Sequence, residues 1–420
     1  MAGSHARRRA EPAGGHGPAH GHSHAHGGPP PEVEVRGGPR LVLVGSLVAV
    51  LVAVLAGVAL LWPDGDRVDE LAEQVQFAAP GVTFPQAEVT ALGEPCPAGT
   101  AAAGCGQLEV RVTQGEDAGQ TLAVGVPPDV LASDLAVGDT VKLIRTPAGD
   151  GRAETTLNYF GIVREAPLGV MLAVFVVVVL AVARFRGLMA LLGLGFASAV
   201  LAFFLLPALL AGEPPVLVAA VGAVAIMYVV LYTTHGFSLR TSAALAGTIA
   251  GIGVTALIGS LAVGATRVTG VADEGSRQLS TFAPDLSFSN LFAAAVIVAG
   301  LGVLNDVTIT QASAVWELRA ASPEMSRVTV FASGMRIGRD HIASTIYTIV
   351  FAYAGTALTV LLVLRLYQLP GSDLLATEEI TQEVVRTLAT SIGLVLAVPL
   401  TTLIAVATLP PATEPAPSDG

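Results

Sequence analysis

Residues 41–62 read LVLVGSLVAVLVAVLAGVALLW, twenty-two positions without a charged side chain. At 1.5 Å of rise per residue such a helix is about 33 Å long, enough to cross a hydrocarbon layer about 30 Å thick. Arg36 and Arg40 precede the run, and no small-residue cleavage pattern comes before Pro63. It reads as an anchor and not as a removed signal peptide. Further apolar runs follow at residues 166–183, 187–210, 216–232, 242–265, 291–314, 342–364 and 387–409. The chain is therefore expected to be an α-helical polytopic membrane protein with about eight transmembrane helices, its residues 166–409 forming a seven-helix domain.

Composition agrees. The 420 residues are 52% hydrophobic and 13% charged, against about 25% charged in an ordinary soluble domain. Mean hydropathy is +0.67. These values exclude a soluble enzyme. A formal charge of -11 leaves no basic surface for a phosphate backbone, so no nucleic-acid partner is expected.

Arginine placement orients the spans. With the N-terminus inside, the cytoplasmic segments hold Arg7, Arg8, Arg9, Arg36, Arg40, Arg184, Arg186, Arg240, Arg319, Arg327, Arg336 and Arg339. The opposite short loops hold only Arg267, Arg277, Arg365 and Arg386. Twelve against four predicts both termini in the cytoplasm. The same choice puts Cys96 and Cys105 outside, where a disulfide between them would persist and close a short loop.

The long segment 63–165 lies between the first two spans and has ordinary composition. Apolar and polar positions alternate over 86–92, 107–113, 120–126, 139–145 and 155–164, each a half-buried strand candidate, with Leu108, Val110 and Val112 on one face. QGEDAG at 114–119 and PAGDG at 147–151 carry turn chemistry. Five short strands predict a small extracytoplasmic β-barrel, OB-like, after the first helix. A basic groove with stacked aromatics is absent, so a scaffold or protein-contact module is expected rather than an oligomer-binding surface.

Residues 1–40 are Gly-, Pro- and Ala-rich and contain His5, His16, His20, His22, His24 and His26. Such a segment has nothing to bury and reads as a disordered cytoplasmic tail, as do residues 410–420. A second reading is that His16, His20, His22, His24 and His26 hold a divalent transition metal loosely, since neutral imidazole is a good ligand. No other cofactor is expected.

Charge inside lipid marks candidate sites, because it costs about 2.5–3.5 kcal/mol by insertion scales. Asn305 and Asp306 lie deep in the sixth run, and Asp306, Thr310, Ser313 and Glu317 share one helical face. In the seventh, Arg336 and Asp340 are spaced to pair at i, i+4, with Arg339 beside them. Glu383 and Arg386 share a face at the start of the eighth. The alternatives are an ion or solute pathway through these residues and plain capping or packing at span ends. No enzyme is expected: an aspartyl protease needs a second embedded Asp, His235 and His341 sit at span ends, and no P-loop or nucleophile elbow appears.

The runs GLGVLNDVTITQASAVWEL (300–318), GMRIGRDHIASTIYTIVFAYAGTALTVLL (334–362) and EEITQEVVRTLATSIGLVLAVPLTT (378–402) resemble the YibE/YibF family of bacterial multipass membrane proteins. The likeness extends over roughly 85–409. It implies a bacterial plasma-membrane protein and places Asp306, Glu317, Arg339, Asp340, Glu383 and Arg386 at the polar positions of that pattern. The first expectation is a permease or permease subunit for an unknown solute or ion, working through an intramembrane acid, alone or as a homo-oligomer. The second is a non-transporting assembly or protein-export accessory that contacts a membrane partner through its outer β domain.

Overall fold

A computed structural model describes residues 37–75, 81–94, 106–148, 154–368 and 370–412. Cys96, Cys105 and the His-rich tail, with its metal-holding expectation at His16, His20, His22, His24 and His26, lie outside the described residues.

Helix α1 (Gly37–Leu60) contains the first apolar run. A short amphipathic helix, α2 (Gly65–Val75), follows it with an acidic first turn. The β domain then has β1 (Gln86–Leu92), β2 (Gln107–Val112), β3 (Thr121–Gly125), β4 (Thr140–Thr146) and β5 (Thr156–Ile162). All neighbours are antiparallel, in the order β3-β2-β1-β4-β5. Alternation buries one face: Ala87, Val89, Leu108, Val110, Val141 and Leu143 are wholly inaccessible. The ladders slip between Val89 and Ala91 and between Lys142 and Leu143, and such irregularities bend a sheet.

The closed barrel expected from the strand pattern is instead an open half-barrel. Residues of β3 and β5 approach within 8 Å but form no ladder. The five-residue β3 ends just before Val126, Pro127 and Pro128, and the two prolines have no amide hydrogen with which to extend pairing.

Helix α3 (Glu165–Leu210) contains the second and third apolar runs in one 46-residue element. It is broken at Arg184, whose φ of 52° and ψ of -129° are outside the helical region. A Cβ on Gly187 would lie 2.6 Å from the carbonyl oxygen of Val179, whereas residues eight apart in a straight helix are about 12 Å apart along the axis. A π-helical turn (Leu201–Leu205) precedes Pro207, which lacks a donor for the preceding turn.

The remaining long helices are α4 (Pro215–His235), α5 (Leu239–Thr266), α7 (Phe288–Ala321), α8 (Arg327–Thr356) and α10 (Glu378–Thr408), with α6 (Glu274–Phe282) in the connection before α7. Helix α9 (Leu358–Leu366) continues α8 after a 62° bend. Among the described residues six helices are long and apolar enough to cross a membrane, or seven if the bent pair is one span. Eight apolar runs thus give six or seven candidate spans, because the runs on either side of Arg184 belong to one element.

Helices α5, α7 and α10 form the centre. Antiparallel α5 and α10 meet along small residues: Gly251 faces Ala397, Gly247 faces Thr401, and Gly393 faces Thr255. Small side chains let the two backbones approach closely, which is how helices gain packing in lipid. Tyr228 of α4 donates its hydroxyl to the Leu47 carbonyl at 2.6 Å, tying α1 to the bundle.

Candidate functional site

Contacts between helices set a common depth scale. Thr248 of α5 and Thr308 of α7 share a hydroxyl contact of 2.6 Å. Gln311 of α7 donates to the Gly334 carbonyl of α8 at 2.9 Å and to Thr402 Oγ1 of α10 at 2.7 Å. Asp306 stands 18 residues after Phe288 and 15 before Ala321 in α7, about 27 Å and 23 Å from its ends. It is near the middle of the bundle.

The residue that meets Asp306 is His341 of α8, with Nε2 3.8 Å from Oδ2. Sequence reasoning missed it, because the apolar run of the seventh span begins only at Ile342. The helix in fact starts at Arg327, where Ser326 caps it by accepting from the Thr329 amide at 3.2 Å. That places His341 fourteen residues inside α8. Ser326 after Pro323 was the available signal, a cap residue behind a helix breaker.

The expected constellation separates into parts. Asp306, Thr310 and Glu317 share the outward face of α7, with 69% of the Asp306 side chain exposed. Asn305, next to it, is half-buried and its Oδ1 lacks a hydrogen-bond partner. Glu317 lies 11 residues from Asp306, about 16 Å along the axis, and faces Arg240 of α5 at 3.8 Å. That exposed ion pair contributes at most about 1 kcal/mol.

On α8 the expected Arg336 and Asp340 pair does not form. Arg336 donates to Ser333 Oγ at 3.0 Å. Arg339 and Asp340 are exposed and make no ion pair among the described residues. Helix α8 turns Val330, Gly334, Gly338, Thr345 and Ile349 inward, which leaves the charged side outward.

Glu383 and Arg386 of α10 do pair, at 3.5 Å and both about a quarter exposed. Gly300 packs on Thr390 and Gln311 on Thr402, so Asp306 is level with about residue 396. Glu383 and Arg386 are then about 15–20 Å away along the bundle. The Arg386 guanidinium lies over the rings of Phe292 and Tyr353, 5.4 and 6.0 Å from their centres, a cation–π arrangement that suits a partly desolvated cation. Between the two groups Thr255, Thr390 and Ser391 have buried hydroxyl oxygens without partners, as do Glu383 Oε2 and Arg386 Nε. Buried polar atoms of this kind are ordinarily satisfied by protein or water.

Among the described residues no three His, Cys, Asp or Glu side chains come together as a metal site. A groove of about 610 Å³ runs between α1 and α4, past Arg40, Leu47 and Tyr232, and does not include Asp306.

A family model described as YibE/F-like protein matches residues 171–411, more than half of the chain. No curated protein and no solved structure matches it.

Proposed function

The chain belongs to the YibE/F-like family, and from that premise we propose that it is a plasma-membrane permease or permease subunit in which Asp306 and His341 pass a proton or cation. The reading rests on the 3.8 Å approach of Asp306 Oδ2 and His341 Nε2 near the middle of the bundle. A gap of that size is closed by one bridging water or a small side-chain movement. Histidine changes charge near neutral pH, and chains of acids and histidines are the usual proton relays inside membranes. Glu383, Arg386 and the unpartnered hydroxyls of Thr255, Thr390 and Ser391 form a second polar group toward the start of α10, on the inner side of the bundle. Arg336, Arg339 and Asp340 supply the charged surroundings of the His341 end. The chemistry is that of a carrier and not an enzyme.

The orientation belongs to the same proposal. Glu165 approaches Lys142 of β4 at 3.5 Å, while Gly193 packs on Val230 and Phe204 and Leu205 pack on Gly222. Along α4, therefore, the second arm of α3 runs from the His235 end back toward the Pro215 end. Two crossings by the arms of α3 make eight spans, and an even number leaves both termini on one side, which the arginine distribution makes the cytoplasm.

A second reading has one observation in its favour. Strands β3 and β5 are the outer strands of the half-barrel among the described residues, and the outer strand of a sheet can accept a strand from another chain. An assembly or protein-export accessory would use them to hold a partner. Complementation separates the two readings. Under the permease reading, Asp306→Asn reaches the membrane at wild-type abundance and fails to restore whatever growth defect follows gene deletion. Full restoration by Asp306→Asn, together with a stoichiometric co-purifying protein, favours the accessory.

A further inference from the structure

We propose that the outward polar face of α7 and α8 is covered by a second copy of this chain, with Arg339 of each copy pairing with Asp306 of the other. Asp306, Arg336, Arg339 and Asp340 are all exposed on the bundle surface, Asp306 about midway along α7 and the other three in the part of α8 that precedes its apolar run. A carboxylate as far inside a spanning helix as Asp306 faces protein or water and not acyl chains. Among the described residues nothing lies over this face, and the one ionisable side chain within 4 Å of the Asp306 carboxylate is His341, at 3.8 Å.

The occupant follows from charge and depth. The patch carries two carboxylates and two guanidiniums, so it is its own electrostatic complement, as an isologous two-fold interface requires. An axis along the membrane normal keeps every residue at its own depth. Asp306 is level with His341, which it approaches, and Arg339 is two residues earlier on α8, about 3 Å in depth. The axis therefore brings each Arg339 to the level of the other copy's Asp306. Arg336 and Asp340 lie on the same outward side. Exposed Tyr347 and Phe351 stack with ring centres 6.5 Å apart and supply an apolar flank. The inference stands on exposure and charge and does not depend on transport.

Two differently tagged copies test it after co-expression and transfer to lipid nanodiscs. The wild-type copies capture each other, and particle mass corresponds to two chains. Asp306→Arg in both copies, or Arg339→Asp in both, places like charges face to face and lowers mutual capture about tenfold or more. One copy with Asp306→Arg beside one with Arg339→Asp restores capture, because each contact then joins opposite charges. If a single reversal prevents folding, the mixed pair recovers both membrane abundance and capture. A wild-type particle of one chain, capture undiminished by either reversal, a mixed pair no better than the single reversals, or a different protein bound one-to-one without a second copy would each overturn the proposal.

Discussion

Gly393 of α10 packs so closely on Thr255 of α5 that a methyl group on Gly393 would overlap the Thr255 hydroxyl, and Gly247 of α5 stands in the same relation to Thr401 of α10. The two contacts are mirror images along an antiparallel seam with Gly251 and Ala397 between them. Close approach holds α7 as well, since a Cβ on Gly251 would sit 3.0 Å from Leu304.

Filling the seam is expected to loosen the bundle. For Gly247→Ala the new methyl would meet Thr401 Cβ at 2.8 Å, which a hydroxyl rotation cannot relieve. The cost is about 1–3 kcal/mol of overpacking, read as a lower melting temperature in detergent. Gly253→Ala is the control, since nothing lies within 4 Å of that position on the same helix. It should be neutral or raise stability by about 0.5–1 kcal/mol, because alanine loses less freedom in a helix.

Arg184 decides the topology. If the two arms of α3 each cross the bilayer, as proposed, a reporter inserted after Arg184 should give a cytoplasmic signal, and reporters at Gly149 and Glu274 an external one. An external signal at Arg184 would mean that α3 crosses once or not at all.

The cap of α6 predicts a pH dependence. Hydrogen bonds from the Ser276 backbone and hydroxyl hold the Asp273 carboxyl below the ordinary carboxylate range. A depressed native pKa stabilises the folded helix fully above the unfolded value and loses that effect as pH falls through the native one. Protection of the Ser276 amide, corrected for intrinsic exchange, should drop in acid for the wild type. Asp273→Ala should already be low at neutral pH, by about 1 kcal/mol, and should show no further loss. An acid response in Asp273→Ala equal to that of the wild type would remove the assignment.

Much of this was legible in the sequence. Alternation located all five strands within two residues at either end, because a half-buried strand must alternate. Apolar runs located the long helices for the same kind of reason. What alternation does not encode is whether edge strands meet, and β3 with its two following prolines stops short of β5. Helical periodicity showed that Asp306, Thr310 and Glu317 share a face, yet not whether that face turns inward or outward, which depends on the small residues of α5 and α10 claiming the opposite side of α7. The apolar run was also a poor guide to where α8 begins, since its first four turns contain Arg336, Arg339 and Asp340, and His341 was hidden by that boundary. Helices α2 and α6 are short and polar and gave no membrane signal.

Proton movement through purified protein tests the central claim most directly. In proteoliposomes holding a pH-sensitive dye, with the membrane potential clamped by potassium and valinomycin, the wild type should acidify or alkalinise the lumen in response to an imposed gradient. Asp306→Asn and His341→Gln should each reduce that flux to the level of empty vesicles while melting within a few degrees of wild type. Flux in Asp306→Asn equal to that of the wild type, at equal reconstitution, would contradict the account.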